Sequence, residues 1–231
     1  MPTAATYSQR CLVHLQRSEE QAAIADCTAA IGFNPGQTEA YTNRGLAYYR
    51  LGNYRAALAQ YQRAIEQAPR DFRVYYNQGL AYHALSDYGR AIAAYDSALD
   101  LLPTAEERAA IYNDRGLSDL MLNELSEAIA DFGRAIRLDS SNERAYTNRA
   151  CAYQHQRNYS AAVADFTRVL QLDAERAEAY VSRGWLYHRI GEEQAALWDL
   201  KVALHYFAQQ GNAIAVQKTL ALVAKLEVFI G

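Results

Sequence analysis

The side chains best placed to do chemistry in this chain are arginines and aspartates that recur in step. Arginine stands at Arg10, Arg44, Arg115, Arg149 and Arg183, and aspartate follows sixteen residues later at Asp26, Asp131, Asp165 and Asp199. A guanidinium fork and a carboxylate form a strong, directional, charge-assisted bond. Four complete pairs result: Arg10/Asp26, Arg115/Asp131, Arg149/Asp165 and Arg183/Asp199. Where the carboxylate is missing the chain has Arg44 with Gln60, and one stretch has Gln78 and Ala94 in place of both. Either each pair ties two helices together and fixes their register at little net gain in stability, or the two columns are independent surface features.

Nothing comparable points to catalysis. The five histidines, His14, His83, His155, His188 and His205, are scattered. There is no Gly-rich phosphate loop followed by Lys-Ser/Thr, no His-Glu-x-x-His and no Gly-x-Ser-x-Gly. No catalytic residue, metal ligand or cofactor is expected. The cysteines Cys11, Cys27 and Cys151 are odd in number and lack paired ligand spacing, so a disulfide or zinc site is not expected. They read as buried, reduced thiols of a cytoplasmic chain. A mature exported chain, or one in a membrane-associated complex, would carry the same features.

The bulk numbers narrow the class further. Half of the residues are hydrophobic, and 23 basic residues nearly balance 26 acidic ones, for a net charge of −3. That balance argues against an electrostatic grip on nucleic acid. The N-terminus has no basic segment followed by an apolar run. No stretch approaches the roughly 18 apolar residues of a membrane span.

The elements that must position these residues are set by a repeat. A tyrosine column runs through Tyr7, Tyr41, Tyr75, Tyr112, Tyr146 and Tyr180, with gaps of 34, 34, 37, 34 and 34. Four residues on lies a small column: Cys11, Gly45, Gly79, Gly116, Ala150, Gly184. Alanine recurs at Ala23, Ala57, Ala91, Ala128, Ala162 and Ala196. A mostly aromatic column follows (Cys27, Tyr61, Tyr95, Phe132, Phe166, Leu200), then a second small one (Ala30, Ala64, Ala98, Ala135, Val169, Ala203). Spacings of four and seven place Tyr41, Gly45 and Tyr48 on one face of a first helix. Ala57, Tyr61 and Ala64 repeat the spacing on a second helix. Small residues opposite rings let two antiparallel helices approach closely. Gly52-Asn53-Tyr54, Ser86-Asp87-Tyr88 and Arg157-Asn158-Tyr159 supply the turns, and Pro35, Pro69 and Pro103 close early units. Such hairpins bury both sides only by stacking.

The stretch AYTNRGLAYYRLGNYRAALAQYQRAIEQAP at 40–69 resembles the tetratricopeptide repeat family closely, and the likeness extends over residues 4–210. It implies an all-α, right-handed α-α superhelix, a single solenoid over 1–231. Its six repeats are placed at 4–37, 38–71, 72–105, 109–142, 143–176 and 177–210, with a capping helix at 211–229. Three departures stand out. Glu106-Glu107-Arg108 are inserted before the fourth repeat, where Thr104 and Glu107 read as a capping box that adds a helical turn. In that repeat Asp119 and Leu125 replace aromatics, so its packing should be the least regular. The first repeat carries Cys11, His14 and Cys27, as terminal repeats often depart from pattern. In the capping helix Val216, Leu220 and Val223 share a face, with Leu222 and Leu226 beside them and Gln217, Lys218 and Lys225 toward water. The end, Val228-Phe229-Ile230, either packs down or offers an apolar contact to a second chain.

The resemblance also implies that first helices line a concave groove. One set of groove positions is Gln9, Asn43, Asn77, Asp114, Asn148 and Ser182. A second is Leu12, Leu46, Leu80, Leu117, Cys151 and Trp185, and Tyr49, His83, Gln154 and His188 extend them. An asparagine amide donates and accepts, so Asn43, Asn77 and Asn148 could clamp a peptide backbone, as in similar proteins, or could serve repeat stability alone. Tyr49, Tyr76 and Trp185 supply anchoring area. The carboxylate-gripping pattern of chaperone-binding relatives is absent: Thr42, Leu46, Ala110 and Asp114 stand at its positions, and only Asn77 survives. The expected function is a non-catalytic scaffold that binds a protein or peptide in its groove, in complex assembly for example. The alternatives are self-assembly through the terminal helix, giving a homo-oligomer, and RNA binding, which the acidic balance disfavours.

Overall fold

The computed structural model describes residues 3–230, and the chain is all-α, with thirteen helices and no strand among the described residues. It divides into two compact units, Met1–Leu122 and Asn123–Gly231. The first holds α1 (Ala4–Gln16), α2 (Glu20–Phe33), α3 (Thr38–Arg50), α4 (Tyr54–Gln67), α5 (Phe72–Ala84), α6 (Tyr88–Asp100) and α7 (Ala105–Met121). The second holds α8 (Leu125–Leu138), α9 (Glu143–His155), α10 (Tyr159–Leu172), α11 (Ala177–Arg189), α12 (Glu193–Gln209) and α13 (Ala213–Ile230). The division falls inside the fourth repeat of the sequence reading, where Asp119 and Leu125 break the aromatic pattern.

The helices start and stop for local reasons. One residue in each hairpin turn takes a left-handed backbone: Ser18, Gly52, Ser86, Asn123, Arg157 and Gly191 have φ of 57°, 75°, 61°, 63°, 60° and 83°. This conformation lets the chain fold back on the helix end. The N–H of Asn53 then donates to the carbonyl of Tyr48 at 2.9 Å, and that of Gly52 to Tyr49 at 2.9 Å. Only two of the six are glycine, so the turn pattern is stronger in space than in composition. Pro35, Pro69 and Pro103 each follow a second helix by two or three residues, where a missing N–H costs nothing. At α7 the Thr104 hydroxyl accepts from the Glu107 N–H at 3.3 Å, and the Glu107 carboxylate accepts from the Thr104 N–H at 2.8 Å. The inserted residues therefore lengthen this helix to 17 residues.

In the first unit α1/α2, α3/α4 and α5/α6 pack as hairpins, and α1, α3, α5 and α7 lie side by side. The core is the set of columns seen in the sequence. Ala23, Ala57 and Ala91 have no exposure, nor do Tyr61 and Tyr95. A Cβ built on Gly45 would sit 2.5 Å from Cε1 of Tyr61, and one on Gly79 would sit 2.5 Å from Cε1 of Tyr95. Only glycine admits these rings, so the close approach of helices is dictated residue by residue.

The first hairpin corrects the cysteine reading. Cys11 and Cys27 form a disulfide, with an S–S distance of 2.12 Å and Cα atoms 5.4 Å apart. They occupy the small and ring positions that Gly45/Tyr61 and Gly79/Tyr95 hold in the next two hairpins. Hairpin packing brings those positions face to face, so the thiols are juxtaposed without any ligand-type spacing. Both are buried, and Cys151 alone is a free thiol, raised above its ordinary pKa by burial.

In the second unit α9/α10 and α11/α12 pack as hairpins and α13 packs on α12. Tyr146, Phe166, Tyr180, Leu186 and Phe207 share its main core. The buried face of α13 is Thr219, Val223 and Leu226, while Leu220 and Leu222 are exposed, which corrects the apolar stripe expected through Leu220. Gln217, Lys218 and Lys225 face water. Val228 is exposed, and the side chains of Phe229 and Ile230 lie outside the described residues.

The arginine/aspartate columns do pair across hairpins. Arg10 donates to Asp26 at 2.9 Å, Arg149 to Asp165 at 2.8 and 2.7 Å, and Arg183 to Asp199 at 2.8 Å through both oxygens. Arg44 donates instead to Gln60 at 3.0 and 2.6 Å. Arg115 and Asp131 belong to different units; within its own unit Arg115 bonds Asp96, and Asp131 bonds Arg134. A second partner was not foreseen. Each guanidinium lies over the tyrosine three residues earlier on its helix, at 5.3 Å for Arg10/Tyr7, 5.6 Å for Arg44/Tyr41, 5.4 Å for Arg115/Tyr112, 5.7 Å for Arg149/Tyr146 and 5.6 Å for Arg183/Tyr180. The tyrosine column thus both fills space and holds the cation above it.

Candidate functional site

Helix geometry decides which side chains of the first unit are left for a partner. Gly45 and Gly79 face the second helix of their hairpin, so residues two positions earlier, about 200° around the axis, face away from it. These are Asn43 on α3 and Asn77 on α5. Both are half-buried, and neither amide makes a hydrogen bond among the described residues. Leu46 and Leu80 beside them are also half-buried.

Asp114 on α7 is differently placed. The Tyr76 hydroxyl donates to its Oδ2 at 2.7 Å, and the amide of buried Asn113 donates to its Oδ1 at 3.0 Å. Two candidate groove residues are thereby brought together, with the carboxylate already engaged by the protein. His83 lies close by: its Nδ1 is 2.8 Å from the Ser118 Oγ, which itself donates to the Asp114 carbonyl at 3.2 Å. A hydroxyl has one proton, so Nδ1 carries the hydrogen that Ser118 accepts. Burial lowers the His83 pKa, and the Asp114 charge opposes that shift. Burial likewise raises the Tyr49 phenol, helped by Tyr54 and then Asp114, and holds Tyr61 and Tyr95 far above the ordinary phenol value. The first unit therefore offers neutral phenols, two amides free of internal bonds and one committed carboxylate. Such groups can donate to and accept from a neutral polar ligand.

The second unit presents a different face. Asn148 on α9 is half-buried, as are Cys151 and Gln154. Trp185 on α11 is 38% exposed, with Arg189 stacked over its ring at 5.5 Å and the edge of Tyr159 at 6.1 Å. His188, one turn on, holds both oxygens of Glu193 at 2.9 and 2.8 Å through Nδ1. Trp185 and His188 border a cavity of about 290 Å³ whose other wall comes from Leu222 and Lys225 of α13. No α13 residue figured among the sequence candidates, because that helix lies outside the repeat columns. Ser118 was also missed, although it stands 35 residues after His83 at nearly the repeat step. No group of three or more His, Cys, Asp or Glu side chains is arranged to hold a metal ion among the described residues. No described helix is long and apolar enough to cross a membrane.

Comparison with known proteins bears on the fold. No curated protein matches the chain. Among solved structures, YrrB, a TPR protein with an unusual peptide-binding site, aligns at 20% identity with a TM-score of 0.68 over 84% of this chain and 97% of its own. PilF of Pseudomonas aeruginosa aligns at 19% identity with a TM-score of 0.76 over 94% and 96%. The C-terminal part of a TPR repeat-containing protein from Cytophaga hutchinsonii reaches 0.82 at 16% identity, over 96% and 88%. At such identities the likeness carries the fold alone. Models of the tetratricopeptide repeat match residues 42–106, 116–157 and 143–175, more than half of the chain between them. With five columns in phase over six repeats and helices paired as those columns require, the chain belongs to the tetratricopeptide repeat family.

Proposed function

We propose that this protein is a non-catalytic interaction scaffold that holds an extended segment of a partner protein against its first helices. The observation that carries the reading is the pair of amides on Asn43 and Asn77. Neither amide bonds internally among the described residues, which leaves both available to a partner. Each can donate to a backbone carbonyl and accept from a backbone N–H, which reads a peptide irrespective of sequence. Leu46 and Leu80 beside them give the segment apolar ground, and Tyr49 and Tyr76 give it ring surface. Asp114 completes the proposed ladder of the first unit through the Tyr76 hydroxyl that it orients. Of the solved structures similar to this chain, YrrB is described by its peptide-binding site, and a role in complex assembly fits the same geometry.

The test is affinity capture with the intact chain beside an Asn43→Ala/Asn77→Ala variant. The reading expects the captured partner to be weakened about tenfold or more, two lost polar contacts at roughly 1 kcal/mol each. Thermal unfolding should be unchanged. Equal capture by both proteins would reject the ladder.

A second reading, self-assembly through α13, is favoured by its exposed apolar residues Ile214, Leu220 and Val228. Light scattering of the full chain against one lacking 228–231 separates the two: a monomer in both cases leaves the scaffold reading alone.

A further inference from the structure

The sixth hairpin keeps the glycine of the small/ring pair and drops the ring. In the second and third hairpins Tyr61 and Tyr95 lie directly against Gly45 and Gly79. In the sixth, Leu200 stands in the ring column, and its Cγ lies 3.4 Å from where a Gly184 Cβ would be. The same position is crowded by the Ala196 carbonyl oxygen at 3.1 Å and the Asp199 Cβ at 3.2 Å, so α12 closes directly on Gly184. Beside this contact, toward α13, the shorter leucine leaves a cavity of about 290 Å³, bordered by Gly184, Trp185, His188, Leu200, Leu222 and Lys225. That volume lies at the lower edge of the roughly 300–1,000 Å³ typical of small-molecule sites, so it suits one large side chain better than a cofactor.

Its rim has a definite chemistry. Trp185 is half-exposed and held in orientation by Tyr159 on one side and the Arg189 guanidinium on the other. The His188 ring is tied to Glu193, so that carboxylate is occupied. Lys225 is exposed and forms no ion pair among the described residues. The neighbouring lysine–glutamate pair on this side, Lys201 with Glu227 at 3.1 Å, is already closed. Arg189 and Lys225 therefore leave positive charge around an apolar pocket.

We propose that this cavity receives the aromatic side chain of a partner peptide, with an acidic residue of that peptide meeting Lys225. The ring gains the Leu200 and Leu222 side chains as its floor and the Trp185 indole beside it, an aromatic contact favoured in offset or edge geometry. The carboxylate supplies orientation more than affinity, as an exposed ion pair is weak. This inference rests on the scaffold reading and adds to it a pocket that selects what is bound.

The experiment uses the full chain and three capped dipeptides, Ac-Glu-Phe-NH2, Ac-Gln-Phe-NH2 and Ac-Glu-Ala-NH2, with the Trp185 indole N–H followed by NMR. Ac-Glu-Phe-NH2 should shift that resonance saturably, with a Kd on the order of millimolar for so small a ligand. Ac-Gln-Phe-NH2 should bind about two- to fivefold more weakly, and Ac-Glu-Ala-NH2 should give no shift. Leu200→Phe should abolish binding while the melting temperature holds or rises, because the protein then supplies its own ring. Lys225→Glu, a surface change, should abolish the preference for Glu over Gln. The Asn43→Ala/Asn77→Ala variant should bind the dipeptide like the parent, so loss of the ladder and loss of the pocket are read separately. No shift with Ac-Glu-Phe-NH2, or binding retained in Leu200→Phe, would overturn the proposal. A concentration-dependent dimer that Leu200→Phe dissolves would assign the cavity to a second copy of the chain instead.

Discussion

The third and sixth hairpins meet the same packing demand at two positions sixteen residues apart and end differently. At Gly79 and Tyr95 a fully buried ring lies on bare backbone and closes the space between two helices. At Gly184 and Leu200 the α12 backbone itself closes in, with the Ala196 oxygen 3.1 Å from the Cβ position, and a cavity opens beside the smaller side chain. The first hairpin adds a third solution, in which Cys11 and Cys27 replace ring packing by a covalent bond. One pair of columns is thus a junction whose chemistry sets whether a hairpin is filled, tied or left open. The difference teaches that a repeat protein can make a specific pocket by omitting a side chain, with no change in backbone plan.

The comparison breaks most readily at the rings. Tyr95→Ala should cost about 3–5 kcal/mol, as removal of a buried aromatic does, whereas Leu200→Ala, beside space already open, should cost nearer 2 kcal/mol. Urea unfolding of both variants checks this, and equal losses would mean that the sixth hairpin is as tightly filled as the third.

The ion pairs provide the next contrast. Arg183→Ala would leave Asp199, which has no exposure, without its cation, at a cost of about 3–4 kcal/mol. Arg10, more than half exposed, should cost less than about 1 kcal/mol when replaced by alanine. Similar values for the two would show that burial does not govern this column.

Replacing the disulfide by Cys11→Ser/Cys27→Ser should lower stability by about 3 kcal/mol, the loop-entropy value for a closed loop of about 15 residues. The Cys11→Gly/Cys27→Tyr variant, which installs the solution of the second hairpin, should recover part of it. Denaturant melts of the three proteins under non-reducing conditions measure both effects, and a double-serine variant as stable as the parent would remove the covalent tie from the comparison.

The smallest effect is in pH dependence. Burial raises the Tyr61 and Tyr95 phenols, so the folded chain holds their protons while the unfolded chain releases them near pH 10. Their contribution is therefore intact below pH 10 and is lost as pH rises beyond it. Tyr61→Phe/Tyr95→Phe should flatten the decline between pH 10 and 11, measured by thermal melts across that range. The His83 shift runs the other way: a lowered histidine pKa contributes above about pH 6.5, and the contribution is lost as pH falls below that value.

The sequence by itself determined whatever depends on spacing within one repeat. Helix positions, the inserted turn at Thr104–Glu107, the Gly45/Tyr61 and Gly79/Tyr95 contacts and the Arg149/Asp165 and Arg183/Asp199 bonds are all legible there. Each arises from separations of three, four or sixteen residues that recur in phase, and a periodic contact leaves a periodic trace. Tertiary structure alone decided what lies between elements of different character. It committed Asp114 to Tyr76, exposed Leu220 while burying Thr219, and set Lys225 across from Trp185. Those outcomes depend on how neighbouring helices turn and how much volume they leave, and no single stretch of chain records the distance between surfaces that fold together from far apart.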